Sequence, residues 1–202
     1  MRVLGRAQSI VAIGFVAFVV ATASAGTIAT FADPALDGTT PLFSLSGTQF
    51  SGGWSGTNLN LLTPGWAGPD IPNAKFAMPP LTATPIGPGV WTLPAGQITF
   101  TDAANTPVLL ITFGAASLSE NIGFGASNLA LQTVVFSVPS QPQLIFSQER
   151  FAFSFANDAA IPNGTSWTAA FTSSANVVPE PASVGLLAVG GLLTSLLRRR
   201  GA

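Results

Sequence analysis

The sequence predicts an all-β protein: an antiparallel β-sandwich of jelly-roll or immunoglobulin-like kind, flanked by an N-terminal signal helix and a C-terminal transmembrane helix. Three observations carry that expectation. Between residues 26 and 178, short apolar runs alternate with Gly, Pro, Asn and Ser punctuation, at the roughly 8–12-residue spacing of many short strands. Only 7% of residues are charged, against about 25% in ordinary usage. Water is therefore met by Ser, Thr, Asn and Gln, which suit the wet face of a pleated strand and its turns. Finally, each end of the chain carries a charge-free apolar run bounded by arginine.

At 202 residues there is room for one ordinary domain plus targeting segments, domains running to roughly 100 to 200 residues. The first segment, residues 1–25, has the three parts of a secretory signal peptide. Arg2 and Arg6 form a basic start, Ile10 to Val20 an apolar run, and Ala23-Ser24-Ala25 an A-x-A cleavage pattern with Ala23 and Ala25 as its small residues. The apolar run falls short of the about 20 residues a permanent span requires, so cleavage after Ala25 is the expected outcome.

The sandwich domain is expected over 26–172. Phe151-Ala152-Phe153-Ser154-Phe155 puts three rings on one face and small residues on the other. Trp167, Ala169 and Phe171 repeat that parity, as do Ile98 and Phe100 against Gln97, Thr99 and Thr101. Val108 to Phe113 is apolar on both parities, as in a central strand. Leu129, Leu131, Val134 and Phe136 change parity, which fits either a bulge or a strand covered on both faces.

Turns are expected at Asp37-Gly38, Gly52-Gly53, Pro64-Gly65, Pro79-Pro80, Pro88-Gly89 and Asn163-Gly164, the last as a hairpin. Thr63 to Pro94 reads as a long surface excursion with one or two short strands. Closure of the sheet into a barrel is the alternative to a sandwich. Residues 173–178 are expected as a polar spacer.

The last segment, 179–202, stacks three physical devices. Pro179 and Pro181 hold the chain extended and display Glu180. The sixteen uncharged residues 182–197 make a transmembrane helix of about 24 Å, slightly short for a hydrocarbon core of about 30 Å. Arg198, Arg199 and Arg200 resist translocation and hold the C-terminus in the cytoplasm, with the body outside. A basic terminus argues against a glycolipid-anchor signal, which ends in the apolar tail itself.

Pro-Glu-Pro, a short Gly-containing apolar segment and a terminal Arg cluster together resemble the PEP-CTERM sorting domain of Gram-negative bacteria. The resemblance covers about the last 25 residues. It implies recognition at Pro179, Glu180 and Pro181 by an exosortase, a membrane-embedded cysteine transpeptidase-like enzyme, with membrane retention by Arg198 to Arg200. It also implies delivery to the envelope or extracellular matrix of a bacterium that makes exopolysaccharide and biofilm. More loosely, Ser166 to Ser173 resembles the Trp-containing last strand of such proteins.

Composition narrows the functions available to the body. Cys and His are both absent, which removes the thiol nucleophile, the usual zinc ligands and the one side chain that ordinarily titrates near neutrality. No enzyme, cofactor or metal site is therefore expected. Lys75 and Arg150 face seven carboxylates between Gly26 and Val178, a net charge of −5 that disfavours nucleic acid.

The first functional expectation is a non-catalytic exported envelope or matrix protein. Its partners are signal peptidase and the secretion machinery, an exosortase, the inner membrane in transit, and exopolysaccharide. The second is a carbohydrate-binding module using loop tryptophans: Trp54 follows Gly52-Gly53, and Trp66 lies between Pro64-Gly65 and Gly68-Pro69. Trp91 and Trp167 are read as core. The third is a glycan hydrolase or lyase, with a pair drawn from Asp33, Asp37, Asp70, Asp102, Glu120, Glu149 and Asp158.

Asp33 with Asp37, or Asn157 with Asp158, could contribute to a calcium loop, but neither has the dense acidic spacing of one, and turn chemistry is the simpler reading. Asn163-Gly164-Thr165 is better read as a turn than as a glycosylation sequon. Gly123-Phe124-Gly125 lacks the rest of a nucleotide loop.

Overall fold

The computed structural model describes residues 25–66, 68–127 and 133–178. The strands are β1 (Gly26–Phe31), β2 (Phe43–Ser46), β3 (Gln49–Trp54), β4 (Lys75–Thr82), β5 (Thr84–Gly87), β6 (Val90–Leu93) and β7 (Gly96–Thr101). They continue with β8 (Pro107–Phe113), β9 (Ala116–Ser119), β10 (Gly123–Ser127), β11 (Val134–Ser137), β12 (Ile145–Ile161) and β13 (Gly164–Val178). The described residues are all-β, without a helix. Every pairing is antiparallel, in the order β11-β8-β7-β4-β3-β2-β13-β12-β10-β9-β6-β5, with β1 added on β13.

The period-two ring pattern curls this sheet on itself. Phe43 of β2 meets Phe153 of β12 at 4.8 Å, Phe100 of β7 meets Phe171 of β13 at 5.0 Å, and Phe113 of β8 meets Phe151 of β12 at 5.4 Å. β2 and β12 flank β13, whereas β7 and β13 lie four places apart on the hydrogen-bonded path and β8 and β12 six, so distant strands meet in one apolar core. Edge-to-face and offset pairs of this kind add about 0.5–1.5 kcal/mol each beyond the burial of their area. The curl does not close into a barrel: among the described residues β11 and β5, at the two ends of the path, are not paired with each other.

β12 and β13 form the spine. Phe153 pairs with Phe171 and Phe155 with Ala169, so the two ring-bearing runs lie side by side, as their parity predicts. The loop between them is Pro162-Asn163, with Asn163 at φ 61°, one residue earlier than Asn163-Gly164. Gly164 already belongs to β13, where a Cβ would collide with the Leu45 carbonyl of β2. The opposite edge of β13 is shared: β2 takes Gly164 to Trp167, and β1 takes Phe171 to Ala175.

Sharing that edge explains three departures from expectation. Residues 173–178 are not a spacer but the continuation of β13, with Val178 paired to Ile145. Ser173 is buried, and its hydroxyl donates to the Ala29 carbonyl and accepts from the Ala29 N–H, both at 3.0 Å. It thereby closes the ladder where β1 bulges between Thr27 and Ala29. Ser166 and Thr168 are also buried, so β13 is covered on both faces there instead of one.

Gly52-Gly53 is strand, not turn. Gly52 pairs with Phe43, whose ring lies over the position a Cβ would occupy. Pro79-Pro80 is likewise within β4, at an irregularity where the register of β3 shifts between Phe50 and Gly52 and no ladder donor is required. The Thr63–Pro94 excursion consequently holds three strands, β4, β5 and β6. Asp37-Gly38, Pro64-Gly65 and Pro88-Gly89 are turns as expected. In β8, Leu109, Ile111 and Phe113 are buried and the alternate residues half-buried, and Val134 and Phe136 are buried in β11. Leu129 and Leu131 lie outside the described residues.

Candidate functional site

The two processing points expected from the sequence bracket the folded body. Ala25 is exposed immediately before β1, and Val178 ends β13 immediately before Pro179. Gly26 pairs with Ala175, so the chain enters and leaves the sheet side by side at one end. Ala23, the sorting residues Pro179, Glu180 and Pro181, the apolar segment 182–197 and Arg198, Arg199 and Arg200 lie outside the described residues. Among the described residues no helix is long and apolar enough to cross a membrane.

Of the four tryptophans, Trp66 departs from its expected exposure. Trp66 does lie in a loop, but it is only 8% exposed and belongs to the core. The cause is local: the Gly65 N–H donates to the Ile28 carbonyl at 3.1 Å, and a Cβ at Gly65 would stand 2.5 Å from Ile28 Cα. That approach pins the loop onto β1 and turns the indole inward. Trp54 ends β3, is half-buried, and donates from Nε1 to the Thr57 carbonyl at 3.1 Å. Trp91 is half-buried against the core and Trp167 is fully inside it.

Most of the seven carboxylates are engaged in local backbone bonding. Asp33 accepts from the Ala35 N–H, Asp70 from Thr63 N–H and Asp102 from Thr106 N–H, at 3.0, 3.1 and 2.8 Å. Asp37 accepts from the N–H groups of Thr40 and Thr39 and from the Thr40 hydroxyl, and these bonds hold its carboxyl far below the usual range. Glu149 is buried in β12 at the irregularity between Ser147 and Arg150. No group of three or more His, Cys, Asp or Glu residues is assembled as a metal site among the described residues.

Glu120 and Asp158 are the exception, because they line one cleft of about 260 Å³. Glu120 comes from the β9–β10 turn, where its N–H donates to the Gly89 carbonyl at 3.1 Å. The same turn is tied to β12 by the Phe155 N–H donating to the Ile122 carbonyl at 3.2 Å. Asp158 comes from the β12 irregularity between Ala156 and Ala159, where the strand departs from its ladder with Asn157 at φ 50°. Asn157 Nδ2 donates to the Thr168 hydroxyl at 3.0 Å, leaving Oδ1 as an acceptor.

Phe155, half-buried, and Trp167, buried in the core, also border the cleft, but their rings stack on each other with centroids 4.8 Å apart and planes 15° from parallel. Asn121 and Thr165 complete its polar lining. Among the described residues no lysine or arginine lines it. The sequence contained the signals for this arrangement, namely Asn157-Asp158 and the two ring-bearing strands. What it could not supply was the docking of the β9–β10 turn that brings Glu120 into the same cleft.

The cleft sits at the hairpin end of β13, near Thr165. The paired outer ends of β1 and β13, at Gly26 and Ala175, lie about 30–40 Å farther along the strand at about 3.3 Å per residue. No family model, no curated protein and no solved structure matches the chain.

Proposed function

We propose that this chain is an exported, non-catalytic protein of the bacterial envelope or extracellular matrix, delivered by its signal peptide and sorted at its C-terminus by an exosortase. The observation that carries the reading is the order Pro179-Glu180-Pro181, uncharged 182–197 and Arg198 to Arg200, in a chain that also begins with a signal-like segment. Three guanidinium groups are costly to bring across a bilayer, so the tail stays in the inner membrane until the chain is cut upstream of it.

The body supports this reading by its boundaries. Its first strand begins at Gly26, one residue past the expected signal cleavage, and its last ends at Val178, one residue before the motif. Removing both flanking segments leaves all thirteen described strands whole. We read the curled sheet as a β-sandwich, since β7 and β13, and β8 and β12, far apart along the path, meet through phenylalanine rings. The jelly-roll and immunoglobulin-like forms both remain compatible with it.

The test is mass spectrometry of the protein from an exosortase-bearing host and from the same host with the exosortase deleted. The expected mature form starts at Gly26 and ends near Pro179 in the envelope or medium, and accumulates in the inner membrane with its tail intact when the enzyme is missing. A chain retaining Arg198 to Arg200 outside the inner membrane would overturn the proposal.

A further inference from the structure

We infer that the open end of the β12–β13 hairpin is a bilayer-docking surface, on which the body rests against the lipid for as long as its tail is attached. The inference depends on the reading of residues 182–197 as a membrane segment, and deepens it by naming the part of the sheet that meets the headgroups.

Two of the large apolar side chains that the sheet leaves exposed stand at this one end. Ile145 opens β12 at 55% exposure, and Val177 lies one residue from the end of β13 at 37%. Ile145 pairs with Val178 and Phe146 with Val177, so the two exposed side chains point to opposite faces of the same ladder. A protein laid on one face of the sheet would cover only one of them. An end-on approach to a lipid surface covers both.

The charge pattern favours the same orientation. None of residues 134–148, which lead the chain into β12, is charged, nor is any of 171–178 at the end of β13 or 25–32 around β1. Gly26 pairs with Ala175, so these segments meet at one end of the sheet. The opposite end carries Glu120 and Asp158 in its cleft, and anionic headgroups repel both.

Chain length fixes the reach. Only Pro179, Glu180 and Pro181 separate Val178 from the first residue of the apolar segment. Four residue steps span at most about 14 Å, and the headgroup zone alone is about 5–8 Å deep. The Ile145–Val178 pair is therefore held within about 10 Å of the headgroup surface, whatever shape the linker takes. Tethering makes the contact intramolecular, so two aliphatic side chains suffice where a free body would not stay bound. Cutting the tail removes the tether and releases the body.

The chain has no cysteine, so an introduced thiol gives a single labelling site. Ile145→Cys, Val177→Cys and, at the cleft end, Ile122→Cys, where the side chain is 76% exposed, each receive a nitrobenzoxadiazole label in the full chain. The proteins are reconstituted into phosphatidylcholine vesicles with and without nitroxide-bearing acyl chains. Labels at 145 and 177 are expected to emit to the blue of the label at 122 and to lose most of their emission to the nitroxide, whereas the label at 122 keeps its own. Adding Ile145→Glu to the Val177→Cys chain sets a charge at the interface and should restore the emission at 177. Position 145 is exposed, so this change leaves the core in place.

Alkaline carbonate extraction of the same vesicles reports separately whether the tail is embedded. A chain retained in the lipid with unquenched labels at 145 and 177 would overturn the docking and leave the sorting proposal standing. Release by carbonate would overturn the membrane reading of 182–197, and the docking with it. Equal quenching at 122, or emission at 177 unchanged by Ile145→Glu, would show contact not directed by this end and overturn the proposal. Blue emission at 145 and 177 that nitroxide leaves untouched would overturn it in favour of a second copy of the chain covering the end.

Discussion

Replacing Ser173 by alanine separates a strand from a spacer. In the structure this hydroxyl makes two 3.0 Å bonds to one residue, accepting from the Ala29 N–H and donating to the Ala29 carbonyl, where β1 has slipped out of register. Both residues are inside, Ala29 at 0% and Ser173 at 1% exposure, so water cannot take over either bond. Each orphaned buried group costs about 1–3 kcal/mol. Two groups on one residue therefore predict a loss of about 2–6 kcal/mol, a large share of a domain's about 5–15 kcal/mol.

With a urea dependence of about 2 kcal/mol per molar, the unfolding midpoint of residues 26–178 should fall by about 1–3 M. Ser174→Ala, at the neighbouring half-buried position on the other face, should stay within about 0.5 kcal/mol of the parent. If Ser173→Ala leaves the midpoint unmoved, β13 does not hold β1 through this residue, and residues 173–178 behave as the polar spacer their composition suggests.

Phe153→Ala should cost about 3–5 kcal/mol and collapse the near-ultraviolet dichroism, because this ring, 1% exposed, lies 4.8 Å from both Phe43 and Phe171. Gly164→Ala should lower the yield of folded protein sharply, with hydrogen exchange rising in β2, since the added carbon meets the Leu45 carbonyl head-on. For Asp37, whose folded pKa is depressed by the Thr40 and Thr39 amides, the stabilising contribution is complete above the ordinary value of 3.8 and is lost as pH falls through the folded value. Amide exchange at Thr39 and Thr40, corrected for its intrinsic pH dependence, should therefore stay protected down to pH 3.8 and loosen only in stronger acid, whereas Asp37→Asn should lack this transition. A Glu180→Ala chain should retain its tail in the inner membrane when fractions are probed by mass spectrometry.

The ring-bearing strands were legible because their signal is local. Phe151, Phe153 and Phe155 announce one face by period two, and the structure places Phe151 and Phe153 inside with Phe155 half-buried at the cleft. Glycine and proline were the misleading letters, because the same residue types mark a turn and a tight packing point. Gly52 reads as a turn with Gly53, yet it is bare so that the Phe43 ring can cross the strand. Pro79 and Pro80 read as a break, yet they occupy a ladder irregularity that asks for no donor.

Trp66 failed for a related reason. Its Pro-Gly setting does make a loop, but Gly65 brings that loop into backbone contact with β1, a partner 37 residues earlier that no local pattern names. The carboxylates show the limit most clearly. All seven look alike in sequence, each beside turn residues or polar strand ends, and only the three-dimensional docking of the β9–β10 turn distinguishes Glu120 and Asp158 from the rest.

The last strand of the chain is also the most connected. β13 lies between β12 on one edge and β1 and β2 on the other, joining residues that are about 145 positions apart. Such distant pairings slow assembly, because the whole intervening loop must close before they are rewarded. Synthesis must therefore reach Val178 before the sheet can gain its middle. Until then β1, β2 and β12 are strands without their common neighbour, and a growing chain remains pliable until nearly all of the body has been made.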